Sequence, residues 1–381
     1  MLFQSMFEEV PHTGRYVHDV GGYPTIRNFR QLLNALNQII QNPPKYSERK
    51  NRMSFVGVPM STLFNWPMGT HSGITAFLDP EVNAAMQKIL NVWGEYLQSP
   101  DSSYVLGTSN TDWFGPIALR DILDTANVGK TNYTFSELFV SDETAPHYGF
   151  KSWDDYFTRS FNEGIRPVAA PEDDDVITNA CESQPNRVKH HVKRRDGFWI
   201  KEGHYSITDM LGSQGESVVD EFVGGTVYQA YLSSLSYHRW HAPVSGRVVQ
   251  AYVVNGTYFA EPQYVSLQSQ EVHHNYIDGM DQDKAQSYLT AVATRAVILI
   301  EADNPAIGLM AFVGVGMSEV STCEITVKEG DRVKKGDQLG MFHFGGSTHC
   351  LMFRDGVNVT GFPSNNLHHN VPVRGQVAVV R

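Results

Sequence analysis

The period of the apolar positions changes near residue 145. Upstream, 29–41 and 81–97 carry apolar residues at helical spacing, as in Val82, Met86, Ile89, Leu90, Trp93 and Leu97. Pro43-Pro44 and the stretch 99–103 break that pattern. Downstream the apolar residues gather into short runs bounded by glycine. Strands are predicted over 225–231, 246–252 and 296–300, then over 308–315, 321–327 and 338–344. The change of period predicts an α+β chain in two units. A mainly helical N-terminal domain covers 1–145, and a β-rich domain covers 146–381. Between the helices, the aromatic and glycine-bearing stretch 64–73 reads as a loop. It is either a packed connector or a cover over the mouth of a site. The stretch 261–290 is polar and acidic and contains His273-His274, which read as exposed loop histidines. It reads as a long loop with a short helix at 281–289, and loops of that length often serve as lids or binding loops.

Composition narrows the class. A chain of 381 residues with 19% charged residues buries a sizeable core and is not disordered. Its 30 basic and 41 acidic residues give a formal charge of −11, which argues against nucleic acid or an anionic membrane surface as a partner. The one basic cluster, 189–195, is short and runs into the turn signal Asp196-Gly197, so it reads as a solvated face. No run of about 18 apolar residues is long enough to span a bilayer. The N-terminal residues lack the basic start and apolar run of a signal peptide. Cys181, Cys323 and Cys350 show no metal or disulfide spacing and read as buried packing residues. The expectation is a cytoplasmic protein without stable membrane anchoring.

Two short stretches carry chemistry. The first is Gly345-Gly346-Ser347-Thr348. Paired glycines adopt backbone angles closed to other residues, which lets the Ser347 hydroxyl approach the Gly346 carbonyl. Attack there moves the acyl group from nitrogen to oxygen, and elimination from the ester leaves a pyruvoyl group at a new N-terminus. The same stretch also reads as an ordinary glycine-rich turn. The second is Tyr237-His238-Arg239-Trp240-His241-Ala242-Pro243. Two histidines three apart can aim both imidazoles at one pocket, and histidine exchanges protons near neutral pH. They read equally well as surface or hydrogen-bonded histidines beside a turn. No Cys or acidic cluster at familiar spacing supplies further metal ligands, so no metal is expected.

Together these stretches resemble the phosphatidylserine decarboxylase family, from about residue 147 to the end. Trp153–Phe161 followed by Arg166-Pro167 looks like the family's Phe-Phe-Thr-Arg segment and its Arg-Pro. Ile200–Ser206 with Leu211-Gly212 looks like its Lys-Gly-x-x-Tyr-Ser and Leu-Leu-Gly. The histidine motif and Gly346-Ser347-Thr348 match in order. Trp240, Phe344–Ser347, Ile300–Asn304, Ala180–Ser183 and Ala145–Phe150 are similar to the soluble fungal L-tryptophan decarboxylases of this superfamily. One departure is Asn179–Ser183, where the family usually offers Ser-Pro-x-Asp-Gly and Glu182 falls at the aspartate. Val327–Gly340 also resembles the hammerhead turns of lipoyl and biotinyl carrier domains, which implies a barrel-sandwich-like fold. It lacks the Met-Lys pair of a carrier.

The resemblance implies a self-processing carboxy-lyase whose cofactor is a pyruvoyl group made from Ser347. The cut falls between Gly346 and Ser347, and the large and small fragments stay together. A free, aromatic L-amino acid, tryptophan first, then forms a Schiff base, loses CO2 and leaves as the amine. His241 is the candidate base for cleavage, with Glu182 orienting it; alternatively Glu182 is an ordinary surface or ion-paired acid. His238 is the candidate for returning the proton to Cα, although the two histidines can exchange duties. Gly345 and Thr348 support the oxyanion. Trp66, Tyr258 and Phe259 are candidates for an apolar wall against the substrate ring, or are simply core. The alternatives are a phosphatidylserine decarboxylase making phosphatidylethanolamine and a non-catalytic carrier-like binding module. An oligomer is compatible with the sequence.

Overall fold

The computed structural model describes residues 2–52, 55–196, 205–260, 280–319 and 322–381. The N-terminal region is helical, as its periodicity predicts. Its main helices are α1 (Leu2–Glu9), α2 (Phe29–Ile39), α3 (Pro59–Met68), α4 (His71–Leu78), α5 (Pro80–Gln98) and α6 (Pro116–Ala126). Asp79 starts α5 by accepting the Glu81 and Val82 amides, and Pro80 occupies the first turn, where its missing N–H costs nothing. Met86, Leu90, Trp93 and Leu97 then face inward.

The expected loop at 64–73 is instead the end of α3 and the start of α4. Pro59 opens α3, and the Thr70 hydroxyl caps α4 by accepting the Gly73 amide at 2.9 Å. Gly73 is required there, because a Cβ would sit 1.9 Å from the Pro67 carbonyl oxygen. Pro67 and Gly69, which read as loop residues, mark a tight corner between two helices.

The C-terminal region is built on strands. They are β1 (Val176–Thr178), β2 (Gln184–His190), β3 (Thr226–Leu232), β4 (Arg239–His241), β5 (Gly246–Val254), β6 (Arg295–Ala302) and β7 (Leu309–Gly316). Then come β8 (Thr322–Ile325), β9 (Arg332–Val333), β10 (Gln338–His343), β11 (Ser347–Phe353), β12 (Val359–Thr360) and β13 (Gln376–Val380). A seven-stranded sheet runs β2-β3-β11-β7-β6-β5-β9, beside the three-stranded sheets β1-β13-β12 and β4-β10-β8. The helix expected at 281–289 is α8, Met280–Val292. His273-His274 and Ile200–His204 lie outside the described residues.

Both faces of the large sheet are buried, which the alternation of its strands explains. One face, with Tyr228, Ala230, Leu232, Phe312 and Leu351, packs on Trp240, Phe342 and Ala378 of the smaller sheets. The other, with Val227, Val313, Cys350 and Met352, packs on Met210, Leu211 and Phe222. A third core fills the helical region. It continues past residue 145 through the helix α7 (Trp153–Phe157) and reaches Phe344 beside β11. Among the described residues, no helix is long and apolar enough to cross a membrane.

Candidate active site

The turn from β10 to β11 is strained and tightly held. Phe344 has φ 39° and Gly345 has φ 137°, so two successive residues occupy the region that favours glycine. Phe344 keeps this conformation because its ring is packed edge-on to Trp93 at a centroid distance of 5.7 Å. Beside Gly346 there is open space, with nothing within 4 Å of where a Cβ would lie. The Gly346 carbonyl accepts the Met317 amide at 3.1 Å. Ser347 follows as the first residue of β11, fully buried between Leu232 of β3 and Gly316 of β7. Its hydroxyl has no hydrogen-bond partner. A buried hydroxyl left in this state costs stability.

Thr348 points to the opposite face. Its hydroxyl donates to the Ala230 carbonyl at 2.9 Å and accepts the Gln229 side-chain amide at 3.1 Å. That corrects the expectation that Thr348 supports the oxyanion. The donor on the Gly346 carbonyl is a backbone amide, which no side-chain motif announces.

His238 precedes β4 and is fully buried, stacked on Phe157 of α7 at 4.1 Å. Burial, helped by the Arg159 charge and opposed by the backbone of Ser233 and Ser234, pushes its pKa down to about 3. Neither ring nitrogen makes a well-formed hydrogen bond. His241 Nδ1 donates to the Gly336 carbonyl at 2.9 Å, which leaves Nε2 to accept the Tyr237 hydroxyl at 2.9 Å. Burial and then the Arg374 charge bring its pKa down to about 3 as well. Both imidazoles are therefore neutral near pH 7.

Glu182 is not on either histidine. Its carboxylate takes the Arg166 guanidinium as a fork, at 2.6 and 3.0 Å, and accepts the Val373 amide at 2.8 Å. Those three donors occupy the carboxylate, so the expected orientation of His241 by Glu182 is absent and the carbonyl of Gly336 serves instead. Arg166, from the Arg-Pro pair, also donates to the Ala126 carbonyl.

Two further histidines flank the turn and were not singled out in the sequence. His349 lies two residues beyond Ser347, on the same face of β11, with Nε2 3.0 Å from the Ser183 hydroxyl. Burial lowers its pKa to about 3. Period-two spacing from Ser347 is the signal that points to it. His343 ends β10, with Nδ1 2.9 Å from Asp154 and Nε2 2.8 Å from Glu324. Burial opposes its charge, but the hydrogen bonds and charges of Asp154 and Glu324 win and raise its pKa.

Trp66, Tyr258 and Phe259 sit among the helices. Trp66 donates to the His18 carbonyl at 2.8 Å, the Tyr258 amide donates to Asn83 at 3.2 Å, and Phe259 packs on Phe64 at 5.0 Å. All three are buried, and their contacts are those of a helical core. Among the described residues, no three His, Cys, Asp or Glu side chains gather closely enough to hold a metal ion.

Two family models, both described as phosphatidylserine decarboxylase, match residues 1–122 and 153–377. A decarboxylase of Amanita muscaria, iboD, is 40% identical over 87% of this chain and 94% of that protein. The L-tryptophan decarboxylase of Psilocybe cubensis is 37% identical over 86% of this chain and 73% of that protein. The phosphatidylserine decarboxylase proenzyme 3 of Schizosaccharomyces pombe is 28% identical over 67% of this chain and 23% of that protein.

Proposed function

The chain belongs to the phosphatidylserine decarboxylase family and is a carboxy-lyase; we propose that it matures by cutting itself at Gly346–Ser347 and then decarboxylates a free aromatic L-amino acid, tryptophan first. One observation carries the first part: a buried hydroxyl without a partner follows a strained turn whose carbonyl is held by an amide donor. Attack by Ser347 Oγ forms the C–O bond and breaks the C–N bond, and the hydroxyl proton passes to the nitrogen. Loss of the Ser347 α-proton then expels the Gly346 carboxylate, and hydrolysis of the remaining enamine releases ammonia and leaves a pyruvoyl ketone. That ketone supplies an electrophile for the substrate amine and an electron sink when CO2 leaves.

The chain's own residues do the rest. The Met317 amide supports the carbonyl as it gains negative charge. His241 is assigned the removal of the hydroxyl proton, for which its neutral state is suited. His238, buried against Phe157, is assigned the relay of a proton to the substrate, which it must first take up itself. Glu182 acts at a distance, holding 179–183 through Arg166.

The fungal relatives support the choice of a free amino acid, since the Psilocybe cubensis protein is named an L-tryptophan decarboxylase. The family name supports phosphatidylserine as the competing substrate. Incubating the processed enzyme with tryptophan, phenylalanine, tyrosine and phosphatidylserine vesicles, and following CO2, separates them. Release from tryptophan is expected. Turnover confined to the vesicles would overturn the substrate assignment and leave the cleavage chemistry standing.

A further inference from the structure

The bond between Gly346 and Ser347 belongs to the sheet, but the residues that shape it are held by the helices. On the upstream side stands Phe344, at φ 39°. Its ring fills the space beside α5 so closely that a Cβ on Gly94 would lie 2.7 Å from it. Trp93 packs on the same ring. On the opposite side stands Met317, whose amide holds the Gly346 carbonyl. The chain leaves Met317 through Ser318, at φ 55°, and reaches Glu319, which is fully buried. The Glu319 carboxylate accepts the Ser61 amide at 2.8 Å. Ser61 lies in the first turn of α3, where backbone N–H groups lack intrahelical partners and the helix dipole favours an anion. Two separate contacts with the helical region therefore bracket the scissile bond.

From this bracketing we infer that the helical region is an intramolecular positioning device for self-cleavage. Helix α5 sets the turn through Trp93 and Gly94, and helix α3 sets the carbonyl's amide donor through Ser61 and Glu319. The inference rests on the self-cleavage reading above and assigns it a requirement within the same chain. Residues in sparsely populated backbone regions are strained and persist only when their surroundings impose them. The surroundings that impose Phe344 come from α5. Intramolecular attack also depends steeply on placement, a displacement of about 1 Å costing about 10²-fold in rate. The sheet fixes Ser347 through β3 and β7, and the helices fix what it attacks.

The test uses the full-length chain made by cell-free translation, with the uncut fraction followed over time by intact mass. Glu319→Gln weakens the acceptor, and Gly94→Leu displaces the Phe344 ring. Each is expected to slow the cut by about 10²-fold. Glu319→Asp should recover part of the rate, and Val92→Ser, on the exposed side of α5, should cut as the wild type does. Hydrogen exchange separates positioning from general damage. In an uncut Ser347→Ala background, Glu319→Gln should lose protection at the Met317 amide while the β6 amides keep theirs. Wild-type cutting rates in Glu319→Gln and Gly94→Leu, or unchanged Met317 protection, would overturn the inference. A wild-type chain that stays whole would overturn the self-cleavage reading itself.

Discussion

His241 in β4 and His343 at the end of β10 are both buried, and both use both ring nitrogens, yet their pKa values move in opposite directions. Burial is the largest influence on each and disfavours the cation in both. The partners decide the difference. His241 faces a carbonyl and a phenol, with the guanidinium of Arg374 nearby, and stays neutral. His343 lies between two carboxylates and keeps its proton more firmly than a free histidine. One imidazole is kept neutral, while the other ties the end of β10 to Asp154 and Glu324. Histidine content alone would not distinguish them.

The largest effect removes the reactive end of this arrangement. Ser347→Ala should give one uncut chain that makes no amine, read by gel mobility, intact mass and CO2 release. Fragments at the wild-type position would break the assignment of the hydroxyl. Next, His241→Ala should slow cutting by about 10²–10⁴-fold, the range for a lost general base. Equal rates in His241→Ala and wild type would remove the contrast between a reacting and an anchoring histidine.

Glu182→Gln tests a different link. It leaves the Arg166 guanidinium without its carboxylate, and breaking a buried pair costs about 3–5 kcal/mol. The denaturant midpoint should fall, while the cutting rate per folded molecule stays near wild type. A selective loss of cutting at full stability would restore Glu182 to the proton relay.

The smallest effect is in the pH dependence of stability, and here the two regions should oppose each other. His238 and His241 have folded pKa values near 3, below the ordinary 6.5. The unfolded chain therefore binds their protons first, and stability is lost as pH falls from 6.5 towards about 3. The folded pKa of His343 is raised, so its contribution is full below 6.5 and is lost as pH rises through the raised value. Denaturant midpoints across the range should show both limbs. His343→Gln should flatten the alkaline limb alone.

The sequence made the regular elements legible wherever one face is apolar. Helix α5 and strands β3, β5 and β6 fall close to their expected places because their side chains alternate with the right period. The corner between α3 and α4 was obscured because Pro67 and Gly69 look alike in a loop and in a tight helical junction. Ser347 stood out through its two glycines, and His238 and His241 through their spacing. The partner of Glu182 was hidden by chain separation, since Val373 lies far along the chain and Arg166 has no fixed spacing to it. The same holds for Asp154 and His343. The Met317 amide had no signature at all, because every residue but proline offers one.

Strand β11 lies between β3 and β7, and β13 pairs with β1. A cut before Ser347 would leave β11, β12 and β13 on a separate polypeptide that still completes sheets begun by the other. In the precursor, a tethered strand meets its slot at an effective concentration of about millimolar or more. In the mature enzyme the same strand returns only as a second molecule. Its stability then depends on protein concentration. A melted precursor can refold alone, whereas a melted mature enzyme must first find its missing piece. Maturation would thus give the protein a thermal history: dilution and heating, harmless to the precursor, would separate the mature fragments for good.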